Sequence, residues 1–273
     1  MPYTPMELAN AFIKTGELDD AIIALQEHLE QNQADDEARR LYIQVQMRLS
    51  RGDDLANLIY EFDSLGDKTS DDWQLQSVIH ERLDTLPLAI DAIRQALDLI
   101  PDDERLTERY LDLLLKNHDY EVALNLVRGQ AKSWRWLERE GDILVLLGND
   151  ILATARYGLV LAHLDALMDS VHDDYLQSLK ARVILARAHA YRRLEHTDIA
   201  EALYLEARAI VGDDVTIAFN LGLLAYMNGD MNEAIEQCKA ALAAASATLR
   251  DHMLRSLDED AQFITLKQQL TVQ

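Results

Sequence analysis

The sequence predicts an all-α protein built from stacked helix pairs, and three observations point there. First, residues 181–246 read as one 34-residue unit written twice: Ala188 and Gly222, Ala200 and Ala234, and Ala207 and Ala241 are each 34 positions apart. Second, the chain of 273 residues holds only 10 Gly and 4 Pro, and its abundance of Ala, Leu, Glu and Gln favours helix over strand. Third, apolar residues recur at spacings of three and four along most of the chain, the signature of helices with one buried face. A period of 20–50 residues carried by helical segments means units that bury their apolar faces only by stacking on one another.

Carried back to the N-terminus, the 34-residue spacing divides residues 1–248 into repeats at about 2–35, 36–69, 70–103, 104–133, 134–167, 181–214 and 215–248. The first carries Ala9, Phe12, Gly16, Ala21 and Leu25, with Gly16 expected in the left-handed conformation that closes a helix and Asp19 and Asp20 opening the next. The second is degenerate, but Leu41, Tyr42, Val45, Leu49, Leu55, Leu58, Ile59 and Phe62 keep the rhythm, and Gly52 and Gly66 are expected to end its helices. The third has Ala89, Ile93, Ala96 and Leu97, with Pro87 near a helix start, where its missing N–H costs little, and Pro101 past the end. The fourth has Tyr110, Leu111, Leu114, Ala123 and Val127. The fifth has Gly141, Leu144, Gly148, Ala153 and Tyr157 and starts early, so "GQAKSW" reads as a shortened joint. Between Ala153 and Ala200 the spacing stretches to 47, which places an insertion at 168–180, an extended helix end plus a loop. Residues 249–273 keep an amphipathic rhythm in Leu249, Met253, Leu257, Phe263, Ile264, Leu266 and Leu270, suiting a cap over the exposed end of the stack.

These small residues, with Tyr204 and Cys238 between the last two of each copy, resemble the tetratricopeptide repeat (TPR) family, whose pattern is G-x2-Y…A-x3-F-x2-A. The resemblance is strongest in 181–248 and 2–35 and spans nearly the whole chain, although the motif's Trp is missing from its usual place and Trp73, Trp134 and Trp136 lie near repeat starts instead. It implies a right-handed α-solenoid of about seven helix pairs with a C-terminal capping helix. It also implies that partners lie along a concave groove made by the first helix of each pair. The TPR groove positions fall here on Lys14, Glu37, Arg40, Arg48, Asp71, Glu81, Arg82, Arg105, Glu108, Asp112, Lys116, Arg135, Glu138, Asp142, Arg182, His189, Arg192 and Arg193. Ten of these are Lys or Arg and seven are Asp or Glu, a local excess of +3 in a chain of formal charge −22. In the seventh repeat the same positions hold Phe219, Leu223, Tyr226 and Met227, either an open apolar patch or a surface that the C-terminal segment covers.

The function expected from this is a noncatalytic scaffold or adaptor holding a peptide or partner segment, acidic or mixed in charge. Its contacts would come from Lys14, Arg40, Arg48, Arg82, Lys116, Arg182, His189, Arg192, Arg193, Phe219, Leu223 and Tyr226. The alternative is a regulatory peptide sensor or assembly chaperone. The TPR subtype that clamps acidic chaperone tails fits poorly, since Asn10 matches but Met6 and Leu41 stand where its Lys and second Asn belong, and Asn220 matches only in isolation.

Catalysis has little support. "HERLD" at His80 lacks the second histidine of a zinc-protease helix, and no glycine loop cradles phosphate. Cys238 stands at a packing position, and His163, Asp165, Asp169, His172, Asp173 and Asp174 read as acid-rich helix ends rather than a metal centre. No cofactor and no metal are expected. The single cysteine excludes an internal disulfide, the N-terminal stretch lacks a signal pattern, and no apolar run of about 18 residues stands out. The acidic charge speaks against binding to nucleic acid or to anionic membrane, and the expected location is cytoplasmic.

Overall fold

The computed structural model describes residues 3–49, 55–169 and 173–271, and all regular structure in them is helical. Gly52 and His172 lie outside the described residues. The chain divides into two compact units, Met1–Asp119 and Tyr120–Gln273. The division falls within the stretch expected to form the fourth repeat.

Unit 1 holds α1 (Pro5–Thr15), α2 (Leu18–Gln31), α3 (Asp36–Leu49), α4 (Leu55–Asp63), α5 (Ser70–Arg82), α6 (Leu86–Leu99) and α7 (Glu104–Lys116). Thr4 caps α1 by accepting from the Glu7 amide while the Glu7 carboxylate accepts from the Thr4 amide, and Pro5 follows at the first position. Ala9, Ala21, Ala24, Leu25, Ala38 and Val45 form one buried cluster; Ile43, Leu55, Leu58, Phe62, Leu65 and Ile79 form a second. Alanine on facing helix surfaces lets the helix axes approach closely, and the larger side chains fill the space left beside them.

Unit 2 holds α8 (Tyr120–Arg128), α9 (Trp134–Leu146), α10 (Asp150–Met168), α11 (Asp174–Arg193), α12 (Thr197–Val211), α13 (Val215–Met227), α14 (Met231–Ala244), α15 (Ala247–Ser256), a 3-10 turn at Ala261–Phe263 and α16 (Ile264–Thr271). The stretch expected as an insertion lengthens helices: α10 has 19 residues and α11 has 20, against 13 in α9 and in α13. By length and composition α10 is also the one described helix able to cross a membrane, a run the sequence was not expected to contain. It packs as the second helix of a pair, burying Ala153, Tyr157, Val160 and Leu164.

The helix pairs are closed by one recurrent turn. In unit 1 a left-handed residue stands at Gly16, Asp84 and His118, and in unit 2 at Gly148, Glu195 and Gly229. In each case the next amide donates to the carbonyl five residues back: Glu17 to Phe12 and Thr85 to His80 (both 2.9 Å), and likewise Asn149 to Leu144 (2.8 Å) and Asp230 to Ala225 (2.9 Å). This closing bond satisfies a carbonyl that the helix end would otherwise leave unpaired.

Close approach within pairs sets the small residues. A Cβ on Gly141 of α9 would stand 2.7 Å from the Tyr157 ring of α10, and one on Gly222 of α13 would stand 2.6 Å from Cys238 Sγ of α14. Ala188 of α11, fully buried, fills the corresponding place one period before Gly222. Tyr157, Tyr204 and Cys238 are therefore the same structural plug, each inserted from a second helix toward a small residue on the first.

Candidate functional site

The first-helix faces expected to bind a partner carry ion pairs that tie each helix to its neighbours. In unit 1 the Arg40 guanidinium of α3 donates to Asp72 of α5 (2.9 Å), and Glu81 of α5 accepts from both Arg109 and Lys116 of α7. In unit 2 Arg182 of α11 reaches Glu138 of α9 (2.7 Å), and Arg193 reaches Asp150 of α10 (3.0 Å). Four of the basic residues proposed to meet a partner are thus already held by acids of this chain. Lys14, Arg48 and Arg82 stand exposed.

The apolar part of the expected surface is covered. Phe219 and Leu223 are 2% and 3% exposed, because Met253, Leu257, Phe263 and Leu266 from the C-terminal helices pack on them. Tyr226 is half-buried with its ring 5.8 Å from that of Phe263, and the Arg192 guanidinium lies 5.5 Å from the same ring. Phe219 and Leu223 are therefore core residues here, not an open patch, and the C-terminal segment closes the surface as far as Arg192. Apolar residues at groove positions of the last pair serve the cap that hides them from water.

What stays accessible in unit 2 is a polar face on α9 and α11, supported from behind. The Tyr157 hydroxyl donates to Asp142 (2.8 Å), having passed Gly141 to reach that face. Asp142 keeps an exposed edge, while protein crowding raises its carboxyl above the usual range against the opposing Tyr157 hydrogen bond. Burial likewise raises Glu138, with Arg182 acting the other way. One helix pair along, the Tyr204 hydroxyl lies 2.9 Å from His189 Nδ1 and 3.3 Å from Asn220 Oδ1. Burial, helped by Arg192 and Arg193, pushes the His189 imidazole down to about 4, so it is neutral near pH 7. Burial lifts the Tyr204 phenol to about 12 and the Cys238 thiol to about 12, which leaves that thiol protonated and unreactive.

Sequence reasoning missed the roles of Tyr157, Tyr204 and Asn220, because the two tyrosines fall at packing positions. The available signal was a hydroxyl-bearing residue at a place the repeat fills with an apolar one. It also missed Glu140, 1% exposed on α9 and gripped by Arg128 (2.9 Å) and Arg156 (2.8 Å). Burial works to raise its carboxyl, but the two arginines prevail and hold it below its ordinary value, so this is a buried structural charge cluster. Among the described residues no three His, Cys, Asp or Glu side chains converge as a metal site. A recess of about 670 Å³ in unit 1 lies between α2, α3 and α4, lined by Gln26, Tyr42, Tyr60 and Glu61 rather than by the expected groove residues.

Helices paired through small residues, closed by one turn and stacked pair on pair, define a helix-pair repeat protein of the α-solenoid class. The family model for the tetratricopeptide repeat matches residues 185–248, which hold nearly all of the duplicated unit, so this part of the chain is similar to tetratricopeptide repeats. Solved structures of similar fold agree at low sequence identity. MamA (residue 41 to the end) from Desulfovibrio magneticus RS-1 is 15% identical with a TM-score of 0.52, over 65% of this chain and 95% of that one. The C-terminal part of a TPR repeat-containing protein from Cytophaga hutchinsonii is 13% identical with a TM-score of 0.56, over 88% and 96%. A chain in the structure of Naa15/Naa10 bound to HypK-THB is 11% identical with a TM-score of 0.58, over 96% of this chain but 42% of that one. No curated protein matches the sequence.

Proposed function

We propose that this chain is a noncatalytic protein-interaction scaffold that holds a partner segment of mixed charge on the α9–α11 face of unit 2. The observation that carries the reading is the arrangement there of Glu138 with Arg182 beside Asp142 and Tyr157. These are side chains of both signs, braced by a hydroxyl from the helix behind, at positions where the repeat family places its ligands. Because Arg182 and Arg193 already have carboxylate partners, a purely acidic segment gains little. A segment whose carboxylate takes Arg182 while its own cations are received by Asp142 and the displaced Glu138 leaves no charge unpaired and gains a contact. The solenoid fold supports the scaffold role, since stacked pairs present long ordered surfaces.

The test is affinity capture with the full chain and with an Arg182→Glu/Asp142→Lys double variant, followed by binding isotherms with each purified protein that differs between them. A partner held by the wild type and weakened about tenfold or more by the double variant supports the reading. Partners bound with equal Kd by both forms would overturn the assignment to this face.

A further inference from the structure

A small recess in unit 1, of about 310 Å³, lies between α5 and α6. Trp73, Gln76 and His80 line it from one face of α5, and Leu88, Asp91 and Gln95 line it from α6. Gln76 is 6% exposed, and its Oε1 has no hydrogen-bond partner among the described residues. Buried carbonyl oxygens are almost always paired, so this one marks a place that favours a donor. His80, 8% exposed, supplies a second acceptor. The Thr85 hydroxyl spends its proton on the His80 carbonyl (3.0 Å), so it accepts from Nδ1–H of the ring (3.1 Å), and the neutral ring keeps its lone pair on Nε2. Burial holds the ring below its ordinary pKa against the pull of Asp63, which keeps it neutral near pH 7.

The repeat packing does not require either group. The same two places hold Leu8 and Phe12 in α1 and Tyr110 and Leu114 in α7. In α3 they hold Tyr42 and Gln46, which bond to each other (3.2 Å).

We infer that the α5–α6 recess binds a guanidinium, presented by an arginine side chain, which donates to Gln76 and His80. Two acceptors four residues apart on one helix face call for a group that only donates, and a guanidinium, with donors on several edges, serves both at once. The cations already present are occupied: Arg94 is paired with Asp91 at the mouth (2.8 Å), and Lys68 lies over the Trp73 ring (4.3 Å) while reaching Asp63 (3.3 Å). Arg94 bonds only Oδ1 of Asp91, so Oδ2 can accept from the newcomer as well. An amide or urea brings an oxygen of its own into the same space, and an anion meets both the two acceptors and a chain charge of −22. The volume suits one side chain rather than a helix, with Trp73 and the half-exposed Leu88 as walls for the methylene stem. This site lies in the other unit from the α9–α11 face and does not depend on it.

The test is titration of the full chain, labelled with ¹⁵N, with the peptide acetyl-Gly-Arg-Gly-amide, read on the indole N–H signal of Trp73. Trp134 and Trp136 of α9 report separately on unit 2, so binding there is not mistaken for binding here. Expected is a saturable shift of the Trp73 signal, weaker by about fivefold or more in Kd when citrulline replaces arginine. Gln76→Met keeps the volume and removes the acceptor. It should weaken binding about tenfold, while its melting temperature stays at or above that of the wild type because a buried unpaired oxygen is gone. Gln95→Lys, an exposed change at the rim, should weaken binding through repulsion and leave the melt unchanged. A lower melt in Gln76→Met with unchanged affinity would make Gln76 structural and overturn the proposal. So would equal affinity for the citrulline peptide, or a Trp73 signal that does not move. Tighter binding of the peptide than of free arginine would assign the guanidinium to a partner chain, and the reverse order would assign it to the amino acid itself.

Discussion

The two copies of the duplicated unit, α11–α12 and α13–α14, share their packing and differ in almost everything else. Both bury a small residue on the first helix and alanines on the second: Ala188, Ala200 and Ala207 in one, Gly222, Ala234 and Ala241 in the other. The plug differs, since Tyr204 carries its hydroxyl to His189 and Asn220 whereas Cys238 ends in a thiol facing the Phe219 carbonyl at 3.7 Å. So does the outcome on the first-helix side. It stays polar along α11 and becomes apolar on α13, where α15 and α16 cover it. The repeat thus constrains volume at a handful of contacts and leaves the chemistry of the first-helix face open. That separation is what allows one architecture to carry different surfaces.

The largest expected effect tests the shared part. Ala200→Glu and Ala234→Glu should each destabilise by about 3–5 kcal/mol, since both sites are fully buried and the new carboxylate has neither room nor partner. Urea titrations followed by circular dichroism would measure it, and a small cost at one site alone would break the equivalence of the copies. Phe263→Ala should cost about 3 kcal/mol and act on the second copy, because the ring packs on Tyr226 within the cluster that covers Phe219 and Leu223. Faster hydrogen exchange confined to α13–α16 is the expected pattern, and equal acceleration in α11–α12 would contradict it.

The buried histidine of the first copy predicts a pH effect with a definite sign. His189 titrates at about 4 in the folded chain against an ordinary value of 6.5, so the unfolded state binds more protons between those limits. Stability is fully present above about pH 6.5 and declines as the pH falls toward 4, and His189→Gln should show a shallower decline. Denaturation midpoints for both proteins across that range would check this, and parallel curves would place the histidine in water. The smallest effect sits in the turn. Glu195, at φ 60°, and Gly229, at φ 90°, are the same left-handed position 34 residues apart. Glu195→Gly should therefore stabilise by about 1 kcal/mol, and no change in melting temperature would mean that the turn relaxes around the side chain.

The helix pairs could be read from the sequence where they depend on volume and spacing. Ala21, Ala89, Ala123, Ala200 and Ala234 mark buried contacts that favour small residues, Gly16 marks a left-handed turn, and a fixed period makes both visible. Surface chemistry was less accessible. Arg182 and Glu138 are 44 positions apart, and no local pattern encodes whether that arginine faces a ligand or this glutamate. Phe219 and Leu223 looked the same as an open patch or as a capped core, since the distinction lies in where α15 and α16 pack.

The carboxylate–guanidinium pairs between neighbouring helices have a consequence for selectivity. An incoming acid that seeks Arg40, Lys116 or Arg182 has to evict Asp72, Glu81 or Glu138, exchanging one charge contact for another of similar strength. The evicted acid, left beside the newcomer, then repels it. The net gain from any single such exchange is close to zero, so stray acidic chains find no foothold. On the function proposed above, a segment would be retained only if its own cations received the displaced carboxylates, which would make these faces sensitive to the order of charges along a partner rather than to their sum.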